Sequence, residues 1–203
     1  MIFCPNIEFD ELNNIYISNN SLAKNTTMHH KKHIIKNNTK DFTINESIDY
    51  IPIEQNNKQF WLIKDEKSIN ISGGPFLSGQ WYVRKLNKLS YDSGENVILS
   101  DDKIIFKLGT YKIKALAVGY NVGIHQIRIF DITNKTVLSY GMSSYSNSNI
   151  ASVSVLDTII KIDSEIICQL EHRCQNNNKI NGMGIASGWG DECYATMIIE
   201  KIT

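Results

Sequence analysis

Polar and apolar residues alternate along Thr110-Tyr111-Lys112-Ile113-Lys114-Ala115, and again along His125-Gln126-Ile127-Arg128-Ile129-Phe130. A period of two sends successive side chains to opposite faces of an extended chain, so both segments read as half-buried β-strands. From Trp81 onward the chain repeats this pattern in short pieces separated by turn residues. Asp131 to Thr136 is a hairpin turn leading into Val137-Leu138-Ser139-Tyr140. Ala151 to Ile162 is rich in β-branched residues and stops at Asp163-Ser164, after which Glu165 to His172 alternates once more; these two segments are expected to pair as a hairpin. Tyr194 to Ile202 is a closing strand too apolar for an exposed sheet edge. No stretch in this half carries a 3.6-residue apolar period with helix caps, which selects an all-β antiparallel sandwich or jelly roll over an α/β fold.

The preceding residues read differently. Asn pairs at 13–14, 19–20 and 37–38 favour turns, because Asn tolerates left-handed backbone and hydrogen-bonds its own main chain. Gln59 to Ile63 and Ser68 to Ser72 are strand-like runs around Lys64-Asp65-Glu66-Lys67, which suggests a small hairpin. Gly73-Gly74-Pro75, with Gly79 close behind, marks the boundary. The expected division is a loosely organised segment at 1–80 and a sandwich domain at 81–203.

Lys plus Arg equals Asp plus Glu at 21 each, so no net field draws in nucleic acid or an anionic membrane. The longest apolar runs fall far short of the roughly 20 residues that span a bilayer. The start, Met1-Ile2-Phe3-Cys4-Pro5-Asn6, lacks a charged and then apolar leader, so no signal peptide is expected. Leu116 and Val118 stand beside Ala115 and Ala117 on the opposite parity, which points to burial on both faces of one sheet and hence to an oligomer.

The order of the motifs resembles the tumour-necrosis-factor and complement-head jelly-roll superfamily, in the versions found at the ends of phage and viral fibres. The matching segments are Trp81 to Asn87, Lys107 to Ile113, His125 to Thr133, Leu170-Glu171-His172-Arg173-Cys174, and Glu192 to Thr196, covering about residues 81–203. In Leu108-Gly109-Thr110-Tyr111, Gly109 supplies the freedom for a sharp reversal before Tyr111 packs inward. The resemblance implies a ten-strand jelly roll assembled as a homotrimer, with Trp81, Tyr111, Ile113, Tyr194 and Ile198 as expected interface residues. It also implies a bacteriophage or viral fibre protein at the virion surface, assembled in the host cytoplasm and joined to another virion component through residues 1–80. Its partner would be a host-surface glycan or protein, met without membrane insertion. A capsid-associated decoration trimer is the alternative, and a sandwich-fold hydrolase the third reading.

The chemical constellations point away from catalysis. His29-His30-Lys31-Lys32-His33 has three imidazoles but no Cys or carboxylate nearby to complete a metal site, and reads as an exposed basic segment. Cys168, Cys174 and Cys193 with His172 lack the tight spacing of zinc ligands and read as reduced packing thiols. His125, His172 and Asp131 are scattered with no Gly-x-Ser-x-Gly elbow, so no enzyme, cofactor or metal is expected. Gly182 to Gly190 lacks the following helix of a phosphate cradle and reads as a loop passing close over the sandwich, carrying Trp189. Rigid planar side chains give the most contact area at least entropy cost, which makes Tyr140, Tyr145, Asn147 and Trp189 the candidate ligand contacts.

Overall fold

The computed structural model describes residues 6–9, 15–18 and 58–203. The chain divides into two units, Met1–Asn56 and Asn57–Thr203. In the first, β1 (Asn6–Phe9) pairs antiparallel with β2 (Ile15–Ser18). The His29–His33 cluster and Cys4 lie outside the described residues, as does most of the 1–80 segment expected to join another virion component.

The second unit holds two antiparallel sheets. One has the order β12 (Ala151–Ile162), β8 (Gly109–Tyr120), β14 (Glu192–Lys201), β3 (Gln59–Lys67), β5 (Lys88–Asp92). The other runs β10 (Thr136–Tyr140), β9 (Gly123–Asp131), β13 (Ile166–Cys174), β7 (Lys103–Phe106), β6 (Val97–Ser100), with β11 (Ser144–Ser146) also beside β9 and β4 (Tyr82–Val83) beside β13. From β8 onward the chain crosses to β9 and β10, returns at β12, crosses to β13 and returns at β14. That alternation makes the sandwich a jelly roll, with ten strands on the two main paths.

The alternating segments lie where their period places them. Tyr111, Ile113, Ala115 and Ala117 of β8 point inward and meet Ile127 and Ile129 of β9, Leu170 of β13 and Phe106 of β7 in one buried cluster. Burying each such side chain contributes on the order of 1.5–3 kcal/mol.

Three expectations are corrected. The sandwich begins at Gln59, well before Trp81: β3 pairs with β14 along its whole length, from Lys67↔Glu192 to Gln59↔Lys201. Trp61 and Ile63 fill the core, and the Trp61 Nε1–H donates to Asp92 Oδ1 and to Gly94 O, both at 2.9 Å. The hairpin across residues 59–72 does not form, because Lys64 to Lys67 continue β3 instead of turning. Nor do β12 and β13 pair: β12 pairs with β8, and β13 with β9, β7 and β4. Ile162 and Ile166 both enter the core on either side of Asp163-Ser164, so that link is a corner between sheets. The Ile132–Lys135 turn does join a hairpin, with Thr136 opposite Asp131.

Residues 68–80 and 175–191 run over one end of the sandwich and hold each other by Gly73 N–H to Gly184 O (2.9 Å) and Phe76 N–H to Asn178 O (2.7 Å). Gly184 has φ +139°, and a Cβ placed there would fall 2.0 Å from Tyr194 Cδ1. Gly184→Ala is therefore expected to cost about 2–4 kcal/mol in a urea titration, from backbone strain plus overpacking.

Candidate functional site

Along β9 the inward residues His125, Ile127, Ile129 and Asp131 alternate with Ile124, Gln126, Arg128 and Phe130 on the outward face. On β13, Glu171 stands directly across from Arg128, and Arg173 across from Gln126. Arg128 Nε–H donates to Glu171 Oε2 at 2.5 Å, and Gln169 Nε2–H donates to Glu171 Oε1 at 2.5 Å. The Arg128 guanidinium lies 4.2 Å from the Trp81 ring centroid and 5.0 Å from that of Phe130. Trp81 in turn meets Tyr140 with centroids 6.0 Å apart and ring planes at 49°. Each contact removes freedom from its neighbour, so three aromatic rings and an ion pair form a fixed platform. Beside it runs an open groove of about 280 Å³ lined by Trp81, Ile124, Gln126, Ser143, Arg173 and Gln175, with the buried His125 and Cys174 at its floor.

Tyr140 and Tyr145 are exposed on this side of the molecule, Tyr145 lying opposite Ile124 in the β11–β9 register, and exposed Asn147 follows β11. Trp189 stands elsewhere, 93% exposed on the loop that leads into β14 of the other sheet. That loop is tied down where Ser187 N–H and Gly188 N–H donate to the Glu192 carboxylate at 3.0 and 2.8 Å. These two backbone N–H groups hold Glu192 below the usual carboxylate range.

The expected interface residues do not share a surface. Tyr111 and Ile113 are completely buried between the sheets, and Tyr194 is buried with its hydroxyl donating to Ile71 O at 2.9 Å. Their inward parity keeps them from touching another copy. Trp81 belongs to the platform on the β9 sheet, whereas Ile198 is exposed on the outward face of the β8 sheet. Ile198 has Leu62 directly opposite it on β3 and Lys114 directly opposite it on β8, and Leu116, Val118, Val153 and Val155 form a patch beyond Lys114.

A buried polar seam crosses between the sheets at the same end. His125 Nδ1 lies 2.9 Å from His172 Nε2, His125 Nε2 lies 2.7 Å from Ser152 Oγ on β12, and Ser152 Oγ lies 2.9 Å from Ser144 Oγ. If His172 Nε2–H donates to His125 Nδ1 and His125 Nε2–H donates to Ser152, the unpartnered atom is the His172 Nδ1 lone pair; the reverse order leaves a buried N–H unpaired, which costs more. Both imidazoles are held neutral. Burial first, then the Arg84 cation, pushes His125 down to about 4, and the same causes with His125 itself push His172 well below the ordinary range. Ser152, His125 and His172 have the order of nucleophile, base and orienting group. His125, however, is 1% exposed: on the β8 side it backs onto Gly119, where even a Cβ would fall 2.8 Å from its ring, and it meets the groove only from beneath.

No family model matches the chain, and no curated protein matches its sequence. Among solved structures, murine APRIL at pH 8.0 is similar at 8% identity over 71% of this chain and 98% of that one, with a TM-score of 0.48. Murine APRIL at pH 5.0 gives 9% identity over the same shares and 0.49. The globular domain of zebrafish complement 1qA gives 11% identity over 72% of this chain and 98% of that one, and 0.48. The chain's own strand order defines an all-β antiparallel jelly roll.

Proposed function

We propose that this chain forms a homotrimeric binding head, displayed on a virion fibre for attachment to a host surface through its outward faces and end loops. The observation that carries the reading is the set of aliphatic side chains on the outward face of the β8 sheet. Leu116, Val118, Val153 and Val155 form one aliphatic patch and Leu62 with Ile198 a second, with Thr196 and Lys114 between them, on a side that a monomer leaves in water. Five strands over about eight residues make a face of roughly 24 by 27 Å. Its area is of the same order as the ~800 Å² per partner of a stable interface. The fibre context rests on the motif resemblance alone, and binding rather than catalysis accords with the near-complete burial of His125.

Light scattering of the purified protein is expected to give three times the chain mass at micromolar concentration. Leu116→Asp with Ile198→Asp would place unpaired carboxylates in the interface and is expected to shift it to monomer, with the circular dichroism of the sheets retained. A wild-type monomer would overturn the assembly. A trimer with no saturable attachment to host cells would leave the decoration role instead. If attachment is seen, Tyr145→Ala and Trp189→Ala test whether the outward tyrosine and the end loop take part.

A further inference from the structure

We propose that the groove between Trp81 and Arg173 binds a carboxylated saccharide, a uronic or sialic acid residue at the end of a glycan. The inference rests on the attachment reading and gives it a site and a ligand class.

The groove lining mixes hydrogen-bond donors and acceptors. The Gln126 side-chain amide spends its N–H on Gly141 O at 2.8 Å, which leaves its carbonyl oxygen turned to other uses. Gln175 does the reverse, its Oε1 accepting Ile124 N–H at 3.1 Å and its amide nitrogen making no hydrogen bond among the described residues. Ser143 adds a hydroxyl that both donates and accepts. A sugar ring, whose hydroxyls do both, matches such a set. A phosphate, which only accepts, would meet the Gln126 carbonyl without benefit and would want more than one cation.

Charge supplies the second discrimination. Arg173 is exposed and makes no ion pair among the described residues, and the groove lining contains no carboxylate. The carboxylate on the same face of β13, Glu171, is already held by Arg128 and Gln169. The groove thus offers one free guanidinium, whose planar fork fits a carboxylate with two parallel hydrogen bonds. Trp81 supplies the apolar wall against which the C–H face of a pyranose packs, and Arg128 and Tyr140 fix that ring before the ligand arrives. Open on one side, the groove admits a terminal residue more readily than a buried cofactor.

The test uses the intact purified oligomer, titrated by calorimetry with sialyllactose and with tri-galacturonic acid, against lactose as the neutral control. At least one acidic saccharide is expected to bind saturably, and lactose about tenfold or more weaker. Arg173→Gln, an exposed change that leaves the core untouched, should erase that preference by a similar factor. Trp81→Ala should abolish binding of both kinds, with Gln126→Ala as a second surface variant should Trp81→Ala unfold. Saturable binding that Arg173→Gln leaves unchanged overturns the site, as does the absence of binding to either acid. If host-cell attachment persists in Arg173→Gln and Trp81→Ala, the groove is wrong while the attachment reading stands; no attachment by the wild-type protein removes the attachment reading itself.

Discussion

Replacing Asp65 with Ala is expected to destabilise the sandwich by about 3–5 kcal/mol, among the largest effects of any single substitution here. Arg84 is fully buried, and so is Asp65. The guanidinium donates from Nη2 to Asp65 Oδ2 at 3.2 Å, to Met183 O at 3.2 Å and to Tyr194 O at 2.9 Å, and from Nη1 to Val118 O at 3.4 Å, while Nε has no partner. Three carbonyl dipoles cannot replace the carboxylate. Without Asp65 a full positive charge stays in the core, its desolvation no longer offset. Lys67 Nζ lies 3.3 Å from Asp65 Oδ1, so the substitution strips the same carboxylate from a second cation, one that reaches solvent and bears the loss more easily than Arg84 does. Chemical denaturation checks the figure. The double change Asp65→Leu with Arg84→Met, which removes both charges and keeps the volume filled, is expected to recover most of the loss. If Asp65→Ala alone costs less than about 1 kcal/mol, the pair is not the tie between β3, β8 and β14 that its geometry describes.

That pair also shows where the sequence stops being legible. In β3 the inward positions are Trp61, Ile63 and Asp65. The period of two runs through all three, yet a charged residue at the third breaks the apolar pattern and makes Lys64 to Lys67 look like a turn. Only Arg84, delivered from another segment, makes an inward Asp tolerable, and nothing local announces it. The Gly73-Gly74-Pro75 punctuation misleads for a related reason. It lies in a loop held by backbone hydrogen bonds to residues 178–184, so its constraint is tertiary.

The strands from Gly109 to Asp131 were legible because each has one wet and one dry face, and alternation records that directly. The same parity, applied strictly, assigns Tyr111 and Ile113 to the core and Leu116 and Val118 to the outer face. Parity therefore removes Tyr111 and Ile113 from any surface that another copy could touch. The platform was illegible in another sense: Trp81, Arg128, Tyr140 and Glu171 come from four separated segments, and only the β9–β13 register and the crossing of the chain before β4 bring them together.

Acid is expected to weaken the fold over a window that the two buried histidines define. In the unfolded chain His125 and His172 titrate near the ordinary value of 6.5; in the folded chain His125 is pushed down to about 4 and His172 also well down. Above pH 6.5 both states hold neutral imidazoles and nothing is lost. As the pH falls below 6.5 the unfolded chain takes up protons that the folded chain refuses, so stability drops by about 1.4 kcal/mol per pH unit for each such group until its folded value is reached. For His125 alone the drop from 6.5 to about 4 comes to about 3 kcal/mol, and His172 adds in the same direction. The groups around the pair explain why neither proton is admitted. His125 faces His172 from β13, Ser152 from β12 and Gly119 from β8, with the buried Arg84 cation close enough to repel a second charge, and Asp65 is already engaged by that cation. Glu192, held down by loop N–H groups, loses its contribution only below the ordinary carboxylate value of 4.5, on the acid side of the histidine window. Urea titrations at pH 7.5, 6, 5 and 4.5 should therefore show a steady loss in the wild-type protein, and His125→Gln with His172→Gln should flatten it whatever its stability at neutral pH. An undiminished slope between pH 6.5 and 4.5 in that double variant would assign the acid sensitivity to other groups.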